Sequence, residues 1–412
     1  MKQEILVAKL RIGMFVSELD RPWTETPFLF QGFEITNDGQ LEMLRKYCKK
    51  VYVDPEKSTG PVDLNPRLRA AGGSGGGAAA GASVLASITT RVEYKELSSV
   101  EKELPRAREA QAKSQTTFRE ALRAVGTGKA LDAPRLREAA ASMTESVVRN
   151  PDAMLLIAKL KEQSEATLDR AVGVSLYMIS FGRFLQLPRD RLEVLSILGL
   201  LQDIGKLRVP AALLEKKGAL SAAEFEVCKK HVEHSVAILG ETPGLPSEIA
   251  ALTALHHERF DGSGYPKGLK GAGIGLYGSI AGLVDCFDAL MQQRPYGEVL
   301  SPSNALNMIY KWRGGLFDGP LVEQFIQCIG AFPVGALVEL NSGEVGIVIA
   351  QNQVRRLQPR VMVVLDAKGN PLIPQKILDL VKEPKVDPDT PYRIKRTLEK
   401  GSVPIDPSEF FL

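Results

Sequence analysis

Fourteen consecutive residues, AAGGSGGGAAAGAS (70–83), carry nothing larger than a serine side chain. A stretch so poor in large apolar groups cannot contribute to a packed core and reads as a flexible tether. The chain therefore cannot fold around one continuous core, and its 412 residues suggest two to three domains. The tether and its flanks are assigned to residues 58–90. Before it, residues 1–57 read as a small α+β domain. ILVAKLRIGMFV is rich in strand formers, PFLFQGFEI (27–35) is a second strand region, and Asn37-Asp38-Gly39 signals a turn. LEMLRKYCKK (41–50) has helical spacing and VYVD (51–54) returns to extended structure.

Beyond the tether the pattern is helical. Residues 91–160 read as a helical connector in which Pro105 is expected to kink or split the first helix. Further helices are expected over 136–150, 166–187, 190–206, 221–240, 246–259, 275–293 and 301–330. From 332 the composition changes to short strands joined by Asn-Ser-Gly (341–343) and Lys-Gly-Asn (368–370) turns. This gives a small β-rich module over 331–382, followed by a mostly extended polar tail over 383–412. The expected fold is mainly α: a helical bundle over 161–330, flanked by a small α+β N-terminal domain and a small β-rich C-terminal module.

Charge and composition remove several functional classes. Lys+Arg is 52 and Asp+Glu is 49, a net charge of +3, which argues against a broad basic surface as the main device and against DNA or RNA as partners, while leaving room for a local basic patch. No run of about 18 to 20 apolar residues suggests a membrane helix. The N-terminus lacks a signal-peptide core. Cys48, Cys228, Cys286 and Cys328 are scattered without a CxxC, as expected of reduced thiols in a cytoplasmic protein.

The histidines narrow the chemistry further. All four, His231, His234, His256 and His257, fall within 27 consecutive residues. Four segments of the helical block offer metal-ligating groups: LLQDIGKLRVP (200–210) brings Asp203, and KKHVEHSVAIL (229–239) brings His231. ALHHERFDGSGYPKGLKG (254–271) brings His256 and His257, and IAGLVDCFDALMQQRPYG (280–297) brings Asp285. A set of imidazoles and carboxylates suits iron, manganese, zinc or nickel, and distant helical residues can converge in a bundle core. Adjacent histidines point about 100° apart on a helix, so the pair does not read as two core residues facing one way. Gly262, Gly264 and Pro266 then forbid the helix from continuing.

HHERFDGSGYPKGLKG resembles the signature of the HD-GYP family, a branch of the HD phosphohydrolases, with Gly264, Tyr265 and Pro266 as its naming triad. The resemblance covers roughly residues 160–330. Residues 1–57, through GMFV and PFLFQGFEI, resemble a domain of unknown function often fused to it. The family hydrolyses cyclic di-GMP at a centre of two or three metals. The resemblance implies Asp203, His231, His256, His257 and Asp285 as metal ligands, and Asp203 and Lys206 as catalytic residues. It implies Arg294 as a phosphate contact, and Gly264, Tyr265 and Pro266 as a loop that meets GGDEF-type proteins. His234 matches no family ligand and reads as structural or surface.

The sequence departs from the family pattern at the first metal position. The family's His-Asp pair is Gln202-Asp203. Its early-helix T-x-x-H-S-x-x-V aligns with Thr167 to Val174 and puts Arg170 at the histidine. The acidic ligand falls on Ala166, beside Glu165, and a basic residue frequent after Arg294 is Gly297. The expectation is a degenerate HD-GYP protein of cyclic di-GMP signalling. It would hold at most one divalent transition metal, iron or manganese. Its role would be to bind the nucleotide, or a GGDEF-domain or other signalling protein, with little or no turnover. The alternatives are an active phosphodiesterase with an altered metal centre, and a scaffold unrelated to nucleotides.

Overall fold

The computed structural model describes residues 3–20, 33–35, 38–54, 58, 83–160, 166–292, 299–352, 355–398 and 402–403. The chain divides into two compact units, Met1–Ala80 with Asn352–Pro359, and Gly81–Gln351 with Arg360–Leu412.

The first unit contains β1 (Gln3–Leu6), β2 (Phe15–Leu19), β3 (Phe33–Glu34), α1 (Asp38–Tyr47) and β4 (Lys50–Val53). The strands form an antiparallel sheet in the order β1-β4-β2-β3. Alternate residues of β4, Val51 and Val53, point into a core with Ile5, Met14, Val16, Ile35 and Leu44. This is the small α+β domain that the sequence suggests. Residues 27–32 of the expected second strand lie outside the described residues.

In the second unit the chain is anchored earlier than the tether reading implies. Ser83 Oγ and Val84 N donate to the buried Asp318 carboxylate, at 2.9 and 3.3 Å. α2 (Val100–Gly126) begins at a Ser99 cap and runs through Pro105 without splitting. That proline sits near the helix start, where it removes a single bond, and α2 packs along its neighbours. Those neighbours are α3 (Ala133–Arg149) and α4 (Pro151–Leu160). The bundle continues with α5 (Ala166–Phe184), α6 (Arg189–Leu201), α7 (Ala211–Leu214), α8 (Ala222–Lys229), α9 (His231–Gly240), α10 (Ile249–Thr253), α11 (Gly275–Met291), α12 (Pro302–Lys311) and α13 (Gly319–Ile329). At its centre α5, α11 and α13 meet through the edge-to-face rings of Phe181, Phe287 and Phe325.

Several expected helices are shorter or divided, among them that over 190–206, which ends at Leu201 before the 3-10 segment Ile204–Arg208. The helix over 221–240 breaks at Lys230, that over 246–259 stops at Thr253, and that over 301–330 opens at Gly314-Gly315. Against the sequence expectation, Gly271–Met291 is apolar and long enough by composition to cross a membrane. It is the core helix of the bundle, with 67% of the stretch buried.

The C-terminal module has β5 (Leu337–Leu340), β6 (Val345–Ala350), β7 (Arg360–Leu365), β8 (Pro371–Asp379), β9 (Lys385–Asp387), β10 (Thr390–Pro391) and β11 (Ile394–Thr397). Its main sheet is antiparallel in the order β11-β5-β6-β7-β8. The sheet thus takes its edge strand from the segment read as a tail: β11 pairs with β5.

Candidate metal centre

Asp203 lies just past the end of α6, where the chain turns into a tight 3-10 segment, Ile204–Arg208. This segment lies directly on the start of α9. A Cβ built on Gly205 would sit 2.2 Å from the His231 carbonyl oxygen and 2.4 Å from Ser235 N. Only glycine permits that approach, which is sealed by Gly205 N donating to Ser235 Oγ at 2.8 Å. The Asp-x-Gly-Lys sequence therefore places Asp203 beside His231.

His256 and His257 do not lie on a helix. α10 ends at Thr253, and both histidines occupy the turn that follows. This frees both rings to reach the same point. The Nδ1 atoms of His231 and His256 face the carbonyls of Cys228 and Thr253, at 2.8 and 2.6 Å. A ring that donates through Nδ1 presents Nε2 as a lone pair. His231 Nε2 lies 3.3 Å from His256 Nε2 and 3.1 Å from His257 Nε2. Asp203 Oδ1 lies 3.4 and 3.6 Å from His231 and His256 Nε2. One ligand atom from each of Asp203, His231, His256 and His257 falls within 4.8 Å of the others.

The electrostatics suit a cation. Burial alone would raise the Asp203 pKa. Lys206, the two imidazoles and the Arg170 charge outweigh it and hold the carboxyl well below its usual range. Burial, then the neighbouring His256, holds His257 well below its usual pKa, so its ring is neutral. Lys206 Nζ takes Asp203 Oδ2 at 2.6 Å, while the buried Oδ1 has no hydrogen-bond partner. Converging lone pairs with one orphaned carboxylate oxygen are what a divalent transition metal would satisfy, so the residues fit such an ion.

Beside this cluster the chain carries its own cation. Arg170, on α5, donates to Asp285 Oδ1 at 2.8 Å. It lies 3.5 Å from Asp288 Oδ2 and 3.9 Å from Asp203 Oδ2. Burial would favour a neutral guanidine, but Asp285, Asp203 and Asp288 raise its pKa further. The Gln202 side chain adds a second donor to Asp285 Oδ1, at 3.2 Å. Asp285 is not among the clustered ligands, and its Oδ1 accepts from both of these donors. Ala166 lies in the first turn of α5. Glu165, Arg294 and Gly297 lie outside the described residues. His234, on α9, is not among the clustered ligands.

The loop after the histidines is held to the site rather than free of it. Tyr265 stacks on His257, with ring centroids 4.7 Å apart. Burial pushes its phenol pKa up. A Cβ on Gly264 would meet the backbone of His257, Glu258 and Arg259 at 2.4 to 2.5 Å. Pro266 is exposed. Sequence reasoning passed over two residues here. Glu258 is buried, and its carboxylate accepts from Lys267 N and Leu269 N at 2.8 Å each, fixing the loop. Asp288 shares the α11 face of Asp285 at i,i+3 spacing, the only sequence signal for it.

Parts of the chain match known families and proteins. An HD-domain family matches residues 153–321, a domain of unknown function (DUF3391) matches 2–136, and a KOW domain associated with HD domains matches 337–387. The chain is 31% identical over 389 residues to a cyclic di-GMP phosphodiesterase of Pseudomonas aeruginosa, PA4108, covering 94% of this chain and 91% of that protein. It is 32% identical over 169 residues to the 3'3'-cGAMP-specific phosphodiesterase 2 of Vibrio cholerae, covering 41% of this chain and 32% of that one. Bd1817, an HDG"Y"P protein from Bdellovibrio bacteriovorus, aligns over 79% of this chain and 98% of its own, with a TM-score of 0.46 and 14% identity.

Proposed function

The chain belongs to the HD-GYP family, and from that premise we propose that it serves cyclic di-GMP signalling by binding the dinucleotide with little or no hydrolysis. The observation that carries this reading is Arg170. Its guanidinium lies among Asp203, Asp285 and Asp288, where the family pattern would put a histidine and a second metal. An arginine balances carboxylate charge and can contact phosphate, but it cannot hold and ionise a water.

Asp203, His231, His256 and His257 are the residues that would hold the remaining metal, iron or manganese by analogy with the family. A divalent ion there would bind phosphate oxygen and acidify a coordinated water. Lys206, paired with Asp203, would support a phosphate or leaving oxygen. With Arg170 already engaged by three carboxylates, little positive field remains for charge that develops during attack. One missing electrostatic partner costs about 10²–10³ in rate. Arg294 is a further candidate phosphate contact. A GGDEF-domain or other signalling protein is the second class of partner. It would meet the exposed rim at Pro266, since Tyr265 is engaged by His257.

The test supplies Mn²⁺ or Fe²⁺ to the purified full chain and follows both metal content and cyclic di-GMP. The expected results are nucleotide binding, no more than one bound metal and negligible product. The double variant Arg170→His, Gln202→His should take up a second equivalent. Multiple turnovers to linear pGpG or GMP that vanish in Asp203→Ala, or two metals in the unaltered chain, would overturn the reading.

A further inference from the structure

We propose that Phe225 is the nucleobase platform of this site and that it sets the affinity for a cyclic purine dinucleotide. The inference rests on the nucleotide-binding reading above and extends it to a residue outside the ligand cluster. Three rings step outward from the imidazoles to the surface. His257 stacks on Tyr265 with centroids 4.7 Å apart, and Tyr265 meets Phe225 edge-on at 6.1 Å. Lys229 Nζ lies over both outer rings, 4.8 Å from the Phe225 centroid and 5.4 Å from that of Tyr265.

Phe225 has no role in the core that would explain it. It projects from the short helix α8 and remains 44% exposed, whereas Phe181, Phe287 and Phe325 are fully buried. The lysine positions the pair without covering it, since an ammonium needs only one ring face. An exposed aromatic ring at this place can stack a base while the attached phosphate turns inward. Lys206 and Lys229 are each already paired with a carboxylate, Asp203 at 2.6 Å and Glu226 at 2.7 Å, so the base contact at Phe225 carries the proposal. Stacking on aromatic side chains is the common means by which proteins hold unpaired bases.

The test is titration calorimetry of the metal-loaded full chain with cyclic di-GMP and, separately, with inorganic phosphate. Phe225→Ala should weaken cyclic di-GMP binding by about 5- to 150-fold, the range for loss of one base-stacking contact. Phosphate binding, metal content and melting temperature should not change, because the ring is exposed and touches no ligand. Phe225→Trp should restore or exceed the original affinity. Equal affinity of the unaltered chain and Phe225→Ala would overturn the platform and leave the nucleotide-binding reading standing. So would a parallel loss of phosphate binding, which would mark a structural role. An unaltered chain that does not bind cyclic di-GMP would overturn both.

Discussion

Asp288 closes the far side of the Arg170 cluster, and its environment works against its charge. It is 1% exposed, and burial, only partly offset by Arg170 and Lys159, pushes its pKa up to about 6. An unfolded aspartate ionises near 3.9. The folded chain therefore binds the proton more tightly, and its stability contribution is complete below about pH 4 and lost as pH rises through about 6. A difference of about 2 units corresponds to roughly 3 kcal/mol. The expected outcome is that Asp288→Asn flattens the stability profile between pH 4 and 6, as followed by urea denaturation at each pH. A profile as steep as that of the unaltered chain would exclude Asp288 as its source. Asp203 does the reverse: its lowered pKa keeps it ionised, as a metal ligand must be. Two carboxylates near one guanidinium thus shift in opposite directions: Asp203 also accepts from Lys206 and faces two imidazoles, whereas Lys159 acts on Asp288 through its charge alone and does not outweigh burial.

At the scale of elements, the site depends on the contact between the 3-10 turn Ile204–Arg208 and α9. Gly205→Ala would press a methyl group into the His231 carbonyl and the Ser235 amide, both of them backbone that cannot swing aside. Overpacking of this kind costs about 1–3 kcal/mol. We expect the variant to melt earlier and to lose transition-metal binding together with it. Gly273→Ala, with nothing within 4 Å of the added carbon, should do neither. This dependence was half legible in the sequence. Asp203, His231, His256 and His257 stood out by residue type and order, and the periodicity placed most helices and strands. The end of α10 at Thr253 was not legible. It depends on a turn in which His256 Nδ1 meets the Thr253 carbonyl, and no spacing rule encodes that bond. The diversion of Asp285 was equally hidden. The residue sits on the face expected of a ligand, and only the approach of α5 shows that Arg170 reaches it first. Glu258 gave no signal because its two partners are backbone amides, which every sequence contains.

At the scale of the whole molecule, the helical bundle and the C-terminal sheet belong to one compact unit. α4 packs against β6, whose six residues are all buried. The buried Asp152 at the start of α4 accepts from Gln351 N at 2.8 Å, just past the end of β6. Arg360, the first residue of β7, pairs with Glu101 in the first turn of α2 at 2.6 Å. The exposed Arg360 pair contributes little by itself. The buried contact weighs more, since removing Asp152 leaves the Gln351 amide unpaired at a cost of about 1–3 kcal/mol. If the two parts unfold together, amides in β6 and β7 should exchange with the same limiting free energy as those in α5 and α6. Asp152→Ala should lower both sets equally, as read by hydrogen exchange with mass spectrometry. Early exchange of the sheet alone would mean that it is an independent module resting on α4. A shared transition would mean that a ligand bound on the sheet stabilises, by linkage, the helices that carry the histidine cluster.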